Sequence, residues 1–402
     1  MSAKQMAAAL PNRAARGIAL PLAIVALMIL TVLVIVLVVL ATSEPPISSN
    51  HARAAQARAF AHAGVARALW ALGQPEAQGG IPVALSGGSA AAPYDGLTFV
   101  GLGDAGGFFV HVAGFAGTEG ERAIDVTGWT PGPPAPDRRV RAHRRIRAVM
   151  ARLRFPDPPA ALSADTDVEV HGTSRIDVPA ATCGPRAGAV ATGDVHVLGA
   201  AAVHGSGDVS ESGAVLANQP TAALEPLAFT AAELDLLRAL ARCCGTYVGP
   251  GSPATWTDAP RVTFDTTTRL PRPGLVFVDT RTAAPPTVST PAGDLADVLV
   301  TGDASPSGEP GFQGWLVVNG HVTWQGSMPA RGLVYAQAGL TWAGTGAFTG
   351  AVVARNATGT AGVVNVGPAA TIAYDCEAAR TGGGTIPASW FVKPGSYREV
   401  AD

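Results

Sequence analysis

Four stretches in the C-terminal half decide how this chain is to be read: ADVLVTGD (Ala296–Asp303), GWLVVNGH (Gly314–His321), GLVYAQAG (Gly332–Gly339) and GAVVARNA (Gly350–Ala357). Each begins 18 residues after the one before. Trp324 and Trp342, Gly326 and Gly344, and Thr323 and Thr341 keep the same offset. A fixed period this short describes stacked turns of chain, each too small to bury a core alone. Short runs of Val, Leu, Ala and Tyr closed by glycine read as strands. Parallel strands in neighbouring layers lie about 4.8 Å apart, so Trp324 and Trp342 are expected to stack on one another. Eighteen residues suit a triangular β-helix with about six residues on each side.

The region with this character extends upstream to about residue 160 and ends near 376. Val168–Gly172 (VEVHG) and Asp194–Gly199 (DVHVLG) are further short strands closed by glycine. Within it, residues 230–242 (TAAELDLLRALAR) break the pattern. Thr230 and Glu233 form a capping box, and Leu234, Leu237, Leu240 and Ala241 form one apolar stripe. This predicts a helix capping or flanking the β-helix. Residues 377–402, with Trp390-Phe391, are expected to cover the last layer.

Upstream of 160 the chain is organised differently. Residues 18–41 (IALPLAIVALMILTVLVIVLVVLA) carry no charge. As a helix they would span about 36 Å, enough for a hydrocarbon core of about 30 Å. Pro21 falls in the first turn, where proline is tolerated. Lys4, Arg13 and Arg16 precede the run, which places the N-terminus on the cytoplasmic side. Pro45-Pro46 is expected to kink or interrupt the chain before a second, amphipathic helix over 47–72. There Ala57, Phe60, Ala61, Gly64, Ala68 and Leu72 share one face. Residues 93–155 read as a small sheet. It includes Gly107–Val112, Ala123–Trp129 and the basic stretch Arg138–Arg154, whose alternation puts Ile146, Ala148 and Met150 opposite most of its arginines. The fold class expected is α+β: a long N-terminal helix, a small α/β head, then a mainly β region.

Arg16-Gly17 immediately before the apolar run resembles the leader of type IV prepilins. The resemblance implies cleavage by a prepilin peptidase between Gly17 and Ile18, removing residues 1–17. An uncleaved single-pass anchor is the other reading. Major pilins carry Glu as the fifth mature residue, where this chain has Leu22. That departure resembles the minor, initiating subunits, namely PilX-like pilus assembly proteins and GspK-type pseudopilins of type II secretion. The GLVYAQAGLTWAG and TIAYD blocks are also similar to PilX-like C-terminal regions. The resemblance implies a minor pilin that assembles or primes a type IV pilus from the bacterial inner membrane. Its partners would be other pilins through the N-terminal helix, with adhesion to surface glycans or host cells through the β-helix. A tip pseudopilin of a type II secretion system and a membrane-tethered carbohydrate-active protein are the alternatives.

Four cysteines, Cys183, Cys243, Cys244 and Cys376, stand outside any CxxC pair. In an exported chain they read as two disulfides, with Cys243 and Cys244 each paired to one of the distant two, in unknown order. Four packed thiols are the alternative. Trp315, Trp324 and Trp342 are candidates either for a partner-facing surface or for packing inside the layers. Asp165 and Asp167 read as turn residues. The eight histidines lack ligand spacing, so no metal or other cofactor is expected. With a net charge of −2 and no aromatic residues interleaving the arginine run, specific nucleic-acid binding is not expected. Few carboxylates repeat at one offset and no catalytic motif is present, so the chain does not read as an enzyme.

Overall fold

The computed structural model describes residues 19–82, 85, 88–115, 118–132, 141–179, 183–206, 214–250, 261–265, 270, 273–302 and 311–400. Gly17 and Ile18, and with them the expected cleavage site, lie outside the described residues.

The described residues begin with one α-helix, α1 (Ala19–Leu72), of 54 residues. The expected interruption at Pro45-Pro46 is absent: the helix is assigned unbroken through both prolines. Proline's fixed φ is compatible with helix, so the backbone stays helical there although each ring removes an amide donor and crowds the turn before it. The C-terminal third of α1 lies on an antiparallel sheet. That sheet comprises β1 (Asp95–Gly101), β2 (Gly107–Phe115), β3 (Thr118–Thr130) and β4 (Ala142–Ala151), joined in sequence order. Ala57, Ala61, Gly64, Ala68 and Leu72 are buried against it, as their spacing predicts, and Phe60 is half-buried at the margin. On the sheet side, Phe108, Val110, Ile124, Val126, Ile146 and Met150 close the core. The approach is so close that a Cβ on Gly128 would meet the backbone of Ala57 and Ala61. Small residues on both surfaces are therefore what allow helix and sheet to touch.

The strands that follow are β5 (Ala160–Ala164), β6 (Val168–Val170), β7 (Arg175–Asp177), β8 (Ala187–Ala191), β9 (Val195–Val197), β10 (Ala202–His204) and β11 (Val215–Leu216). Two helices come next, α2 (Thr221–Leu224) and α3 (Ala231–Cys244). Then come β12 (Thr246–Val248), β13 (Val262–Phe264), β14 (Pro273–Val278), β15 (Ala296–Val300), β16 (Phe312–Val318) and β17 (Gly320–Trp324). The series ends with β18 (Ala330–Ala336), β19 (Gly339–Trp342), β20 (Ala347–Ala354), β21 (Val364–Val366) and β22 (Thr371–Tyr374). All of these strands pair in parallel, in two ladders. One contains β12-β14-β16-β18-β20 and continues through β22 to β7 and β10, and through β5 to β8 and β11. The other runs β13-β15-β17-β19-β21-β6-β9.

The period of 18 holds from β16 to β20, where Gly314, Gly332 and Gly350 are in register, and between β17 and β19, where Trp324 faces Trp342. It does not hold for the first aligned block. Ala296 pairs with Gly320, 24 residues on, and Gly314 pairs with Gly274, 40 residues back. The longer connections between β14, β15 and β16 add residues outside the ladders, so ADVLVTGD belongs to the second ladder and not to the first. The glycine column is a steric requirement. Gly314, Gly332 and Gly350 have φ of 152°, 136° and 145°. A Cβ on any of them would overlap the carbonyl of the glycine one layer away.

The layers are not stacked in sequence order. β5, β6 and β7 pair with β20, β21 and β22, so the earliest layer sits beside the latest. From there β8, β9 and β10 continue outward, while the layers from β22 back to β12 extend the other way. The chain must therefore return along the whole stack between β11 and β12, and α2 and α3 make that return. Arg355 Nη1 donates to Leu224 O at 3.0 Å, Tyr335 Oη donates to Leu227 O at 3.1 Å, and Arg238 Nε meets Asp279 Oδ2 at 2.5 Å. Moving forward along the return helices thus means moving backward through the layers. The Thr230–Glu233 capping box is present at the start of α3, and Leu234, Leu236, Leu237, Leu240 and Ala241 are buried.

The expectation that residues 377–402 cover the last layer is corrected. The short helix α4 (Cys376–Thr381) lies against β18 and β20 at the side of the stack. The chain then leaves for the head, where β23 (Phe391–Val392) and β24 (Arg398–Val400) add antiparallel to β4. The free edge of β4 supplies the unpaired backbone groups that draw them there. Trp390 is buried in the head core under the guanidinium groups of Arg122 and Arg152, 5.3 and 5.7 Å from its ring.

Candidate functional site

Two surfaces stand out once the core is accounted for. The first is the N-terminal part of α1. Leu20–Leu40 has a mean hydropathy of 3.5, and every large apolar side chain in it is at least half exposed. It is one helix long and apolar enough to cross a membrane. Leu22, where the prepilin resemblance has a carboxylate, is one of these exposed side chains. The only hydroxyl in the span, Thr31, is satisfied by the carbonyls of Leu27 and Met28, which removes most of its cost in lipid.

The second surface is the open face of the ladder that carries β13, β15, β17 and β19. Strands β14, β16, β18 and β20 are buried along almost their entire length, because one face looks into the stack and the other lies under α3 and α4. Strands β15 and β17 instead alternate buried and half-buried, so one of their faces is open. On it lies a cleft of about 430 Å³ lined by Arg261, Ala292, Gly293, Leu295, Asp297, His321, Thr323, Gly339 and Thr341, among others. Asp297, His321 and Gly339 occupy one row of the ladder, and Thr323 and Thr341 another. Arg261 Nε meets Asp297 Oδ2 at 2.8 Å. Burial holds the His321 imidazole below its ordinary pKa, partly offset by Asp297. In the sequence, Thr323 and Thr341 stand out only as landmarks of the 18-residue repeat, and none of the lining residues is marked as part of a site. Their signal was the alternation of polar residues along DVL and HVT, which becomes meaningful only when the ladders are known to pair.

The tryptophan candidates for a partner surface are corrected: Trp315, Trp324 and Trp342 are all buried. Trp324 and Trp342 stack in adjacent layers with centroids 4.7 Å apart and rings 5° from parallel. Trp315 is covered by Phe155 and Phe229, and its indole N–H donates to Ala379 O in α4 at 2.7 Å. Large flat side chains fill the space between layers better than they serve a solvent face.

The cysteine pairing is also corrected. Cys183 bonds to Cys376, and Cys243 bonds to its neighbour Cys244 at the exposed end of α3. The stack places Cys183 and Cys376 together because β7 lies beside β22, while the return helix carries Cys243 and Cys244 away from that joint.

The remaining charged residues hold elements together. Asp279 is fully buried and accepts from Arg238, from Asn319 Nδ2 at 2.8 Å, from Tyr247 Oη at 3.1 Å and from the Thr280 amide at 3.0 Å. Asp165, at the end of β5, pairs with Arg355 across the joint. Asp167 accepts from the Asp194 amide one layer away at 2.9 Å, a turn role as expected. In the arginine stretch, Arg145 and Arg147 meet Asp125 at 2.6 and 2.9 Å. Burial would raise the Asp125 carboxyl, but the two guanidinium groups outweigh it and hold it below its ordinary value. Part of that stretch, Arg138 to Val140, lies outside the described residues. Among the described residues no group of three His, Cys, Asp or Glu side chains could hold a metal ion. No protein-family model, no curated protein and no solved structure matches this chain.

Proposed function

We propose that this chain is a membrane-anchored, minor pilin-like subunit of the PilX type that acts in assembly or priming of a type IV pilus, as a structural subunit and not as an enzyme. The observation that carries the reading is α1. One unbroken helix has an exposed apolar half and a small-residue half packed on an antiparallel sheet. A helix of this kind can sit in a bilayer, and later among other such helices, while the head stays in water. Lys4, Arg13 and Arg16 orient it with the N-terminus in the cytoplasm and the remainder outside. Leu22 in place of a carboxylate supports an initiating role over that of the bulk subunit.

In this reading the parallel region is a β-helix carried by the head as its extracytoplasmic module. The 18-residue register in both ladders and the stacked Trp324–Trp342 pair support that architecture. The disulfides fit an oxidising compartment.

The test is N-terminal sequencing of the protein recovered from cells with and without prepilin peptidase. The expected mature start is Ile18 in the first strain and Met1 in the second. Met1 in both strains overturns the pilin reading. Deletion of the gene is expected to reduce piliation; lost protein secretion with normal pili would assign the subunit to a type II secretion system instead.

A further inference from the structure

We infer that the cleft on the open face of the β13-β15-β17-β19 ladder, formed by Arg261, Asp297, His321, Thr323 and Thr341, is a binding site for a neutral, hydroxyl-rich glycan. The cleft lies mainly on the face of β15, β17 and β19, inner strands whose backbone N–H and C=O groups are used in the parallel ladder, so an extended peptide finds no strand edge along them. Recognition must come from side chains. Among the described residues, the Thr323 and Thr341 hydroxyls and the His321 ring nitrogens have no hydrogen-bond partner, yet all three line the cleft. Two hydroxyls and a neutral imidazole supply donors and acceptors in mixed order, which is what a row of sugar hydroxyls requires.

Charge narrows the ligand further. Arg261 is matched by Asp297, and among the described residues these are the only Asp, Glu, Lys or Arg side chains lining the cleft. His321 is held toward its neutral form at pH 7 by burial. With no surplus of either sign, the cleft gives no electrostatic preference to phosphate, uronate or nucleic acid. The ion pair itself keeps a carboxylate oxygen and guanidinium N–H groups that can accept from and donate to adjacent hydroxyls.

Shape is consistent with this. Thr323 and Thr341 stand in register on adjacent strands, about 4.8 Å apart, so their side chains form a short row along the cleft. Gly339 forms its floor: a Cβ there would come within 3.0 Å of His321 Nδ1 and take up the depth. Ala292 and Gly293 are exposed at one side of the cleft over the buried Leu295, and leave that side uncharged and low enough for the C–H face of a sugar ring to approach.

The experiment is saturation-transfer NMR on the full chain in detergent micelles. The probes are chitotetraose and cellotetraose as neutral glycans, tetragalacturonate as an anionic one, and an uncharged hexapeptide. Saturation transfer to at least one neutral tetrasaccharide is expected. It should fall at least about tenfold in Thr341→Arg, an exposed position whose new side chain fills the cleft. Thr323→Val, which keeps the shape and removes one hydroxyl, should weaken binding about fivefold, the value of one net hydrogen bond. Unchanged circular dichroism melting of both variants establishes that they are folded. No transfer to either neutral probe at millimolar concentration, transfer undiminished by Thr341→Arg, or preference for tetragalacturonate or the peptide would each overturn the inference.

Discussion

The head and the parallel stack are both β structure, yet they are assembled by opposite rules. In the head, β1 to β4 are neighbours in sequence and in space, and only the last two strands arrive from afar. In the stack, the layer nearest the head in sequence is in the middle in space, between β20–β22 on one side and β8–β10 on the other. The head closes through short-range pairing and can form as the chain is made. The stack has a joint that cannot form until residue 374 has been synthesised, and loop closure over that span is costly in entropy. The Cys183–Cys376 bridge lies at this joint and closes a separation of 193 residues.

That contrast predicts where substitution hurts. The largest effect is expected at the joint. Cys376→Ser should lower the stability of the stack by about 5 kcal/mol, the chain-entropy value for a loop of that length. The melting transition of the stack should fall well below its original temperature while hydrogen exchange in β2 and β3 stays protected. Equal loss of protection in the head would show that the two regions fold as one unit and would remove the distinction.

A smaller effect is expected on the return helix. Asp279 is buried among four donors, and Asp279→Ala leaves Arg238, itself mostly buried, without its carboxylate. The cost should be about 3 kcal/mol, read as a shift in the urea midpoint. Protease cleavage within α3 should accelerate before cleavage in the head. If α3 remains as protected as before, the network is not what holds the return helix to the stack.

The smallest effect concerns acid. Glu233 sits where the return helix meets the end of the head. Burial would raise its carboxyl, but hydrogen bonds from Arg154 and the Thr230 amide outweigh this and hold it below its ordinary value of 4.5. A carboxyl with a depressed folded-state pKa stabilises above the unfolded value and loses that contribution as pH falls through the folded one. The wild-type protein should therefore lose stability below about pH 4.5, and Glu233→Gln should flatten that slope while lowering stability at pH 7. A slope unchanged in Glu233→Gln would place the acid sensitivity elsewhere, with Asp125 the next group to test.

Much of this could be read in advance because it depends on local rules. The Leu20–Leu40 span follows from apolar length, α3 from its capping box and leucine spacing, and the packed face of α1 from alanines and glycine at helical intervals. The Trp324–Trp342 stack follows from a shared offset of 18 once the strands are parallel. The register of Ala296–Asp303 could not be read, because insertions between β14 and β16 hide the period.

By itself, then, the sequence determined the apolar helix, the small-residue contact surface and the parallel layers with their glycine column, since each rests on periodicity or on the size of a side chain. Only the tertiary structure decided the order of the layers, the cysteine partners, the fate of the C-terminal strands and the residues that meet in the cleft. Apart from the Cys243–Cys244 bond between neighbours, these depend on contacts between segments separated by tens to hundreds of residues. The physical reason is that every parallel layer offers nearly the same backbone edge to the next, so a strand's pattern says that it will stack but not on which neighbour. That choice falls to the specific fit of Arg355 with Asp165, Cys183 with Cys376 and the return helix with Asp279.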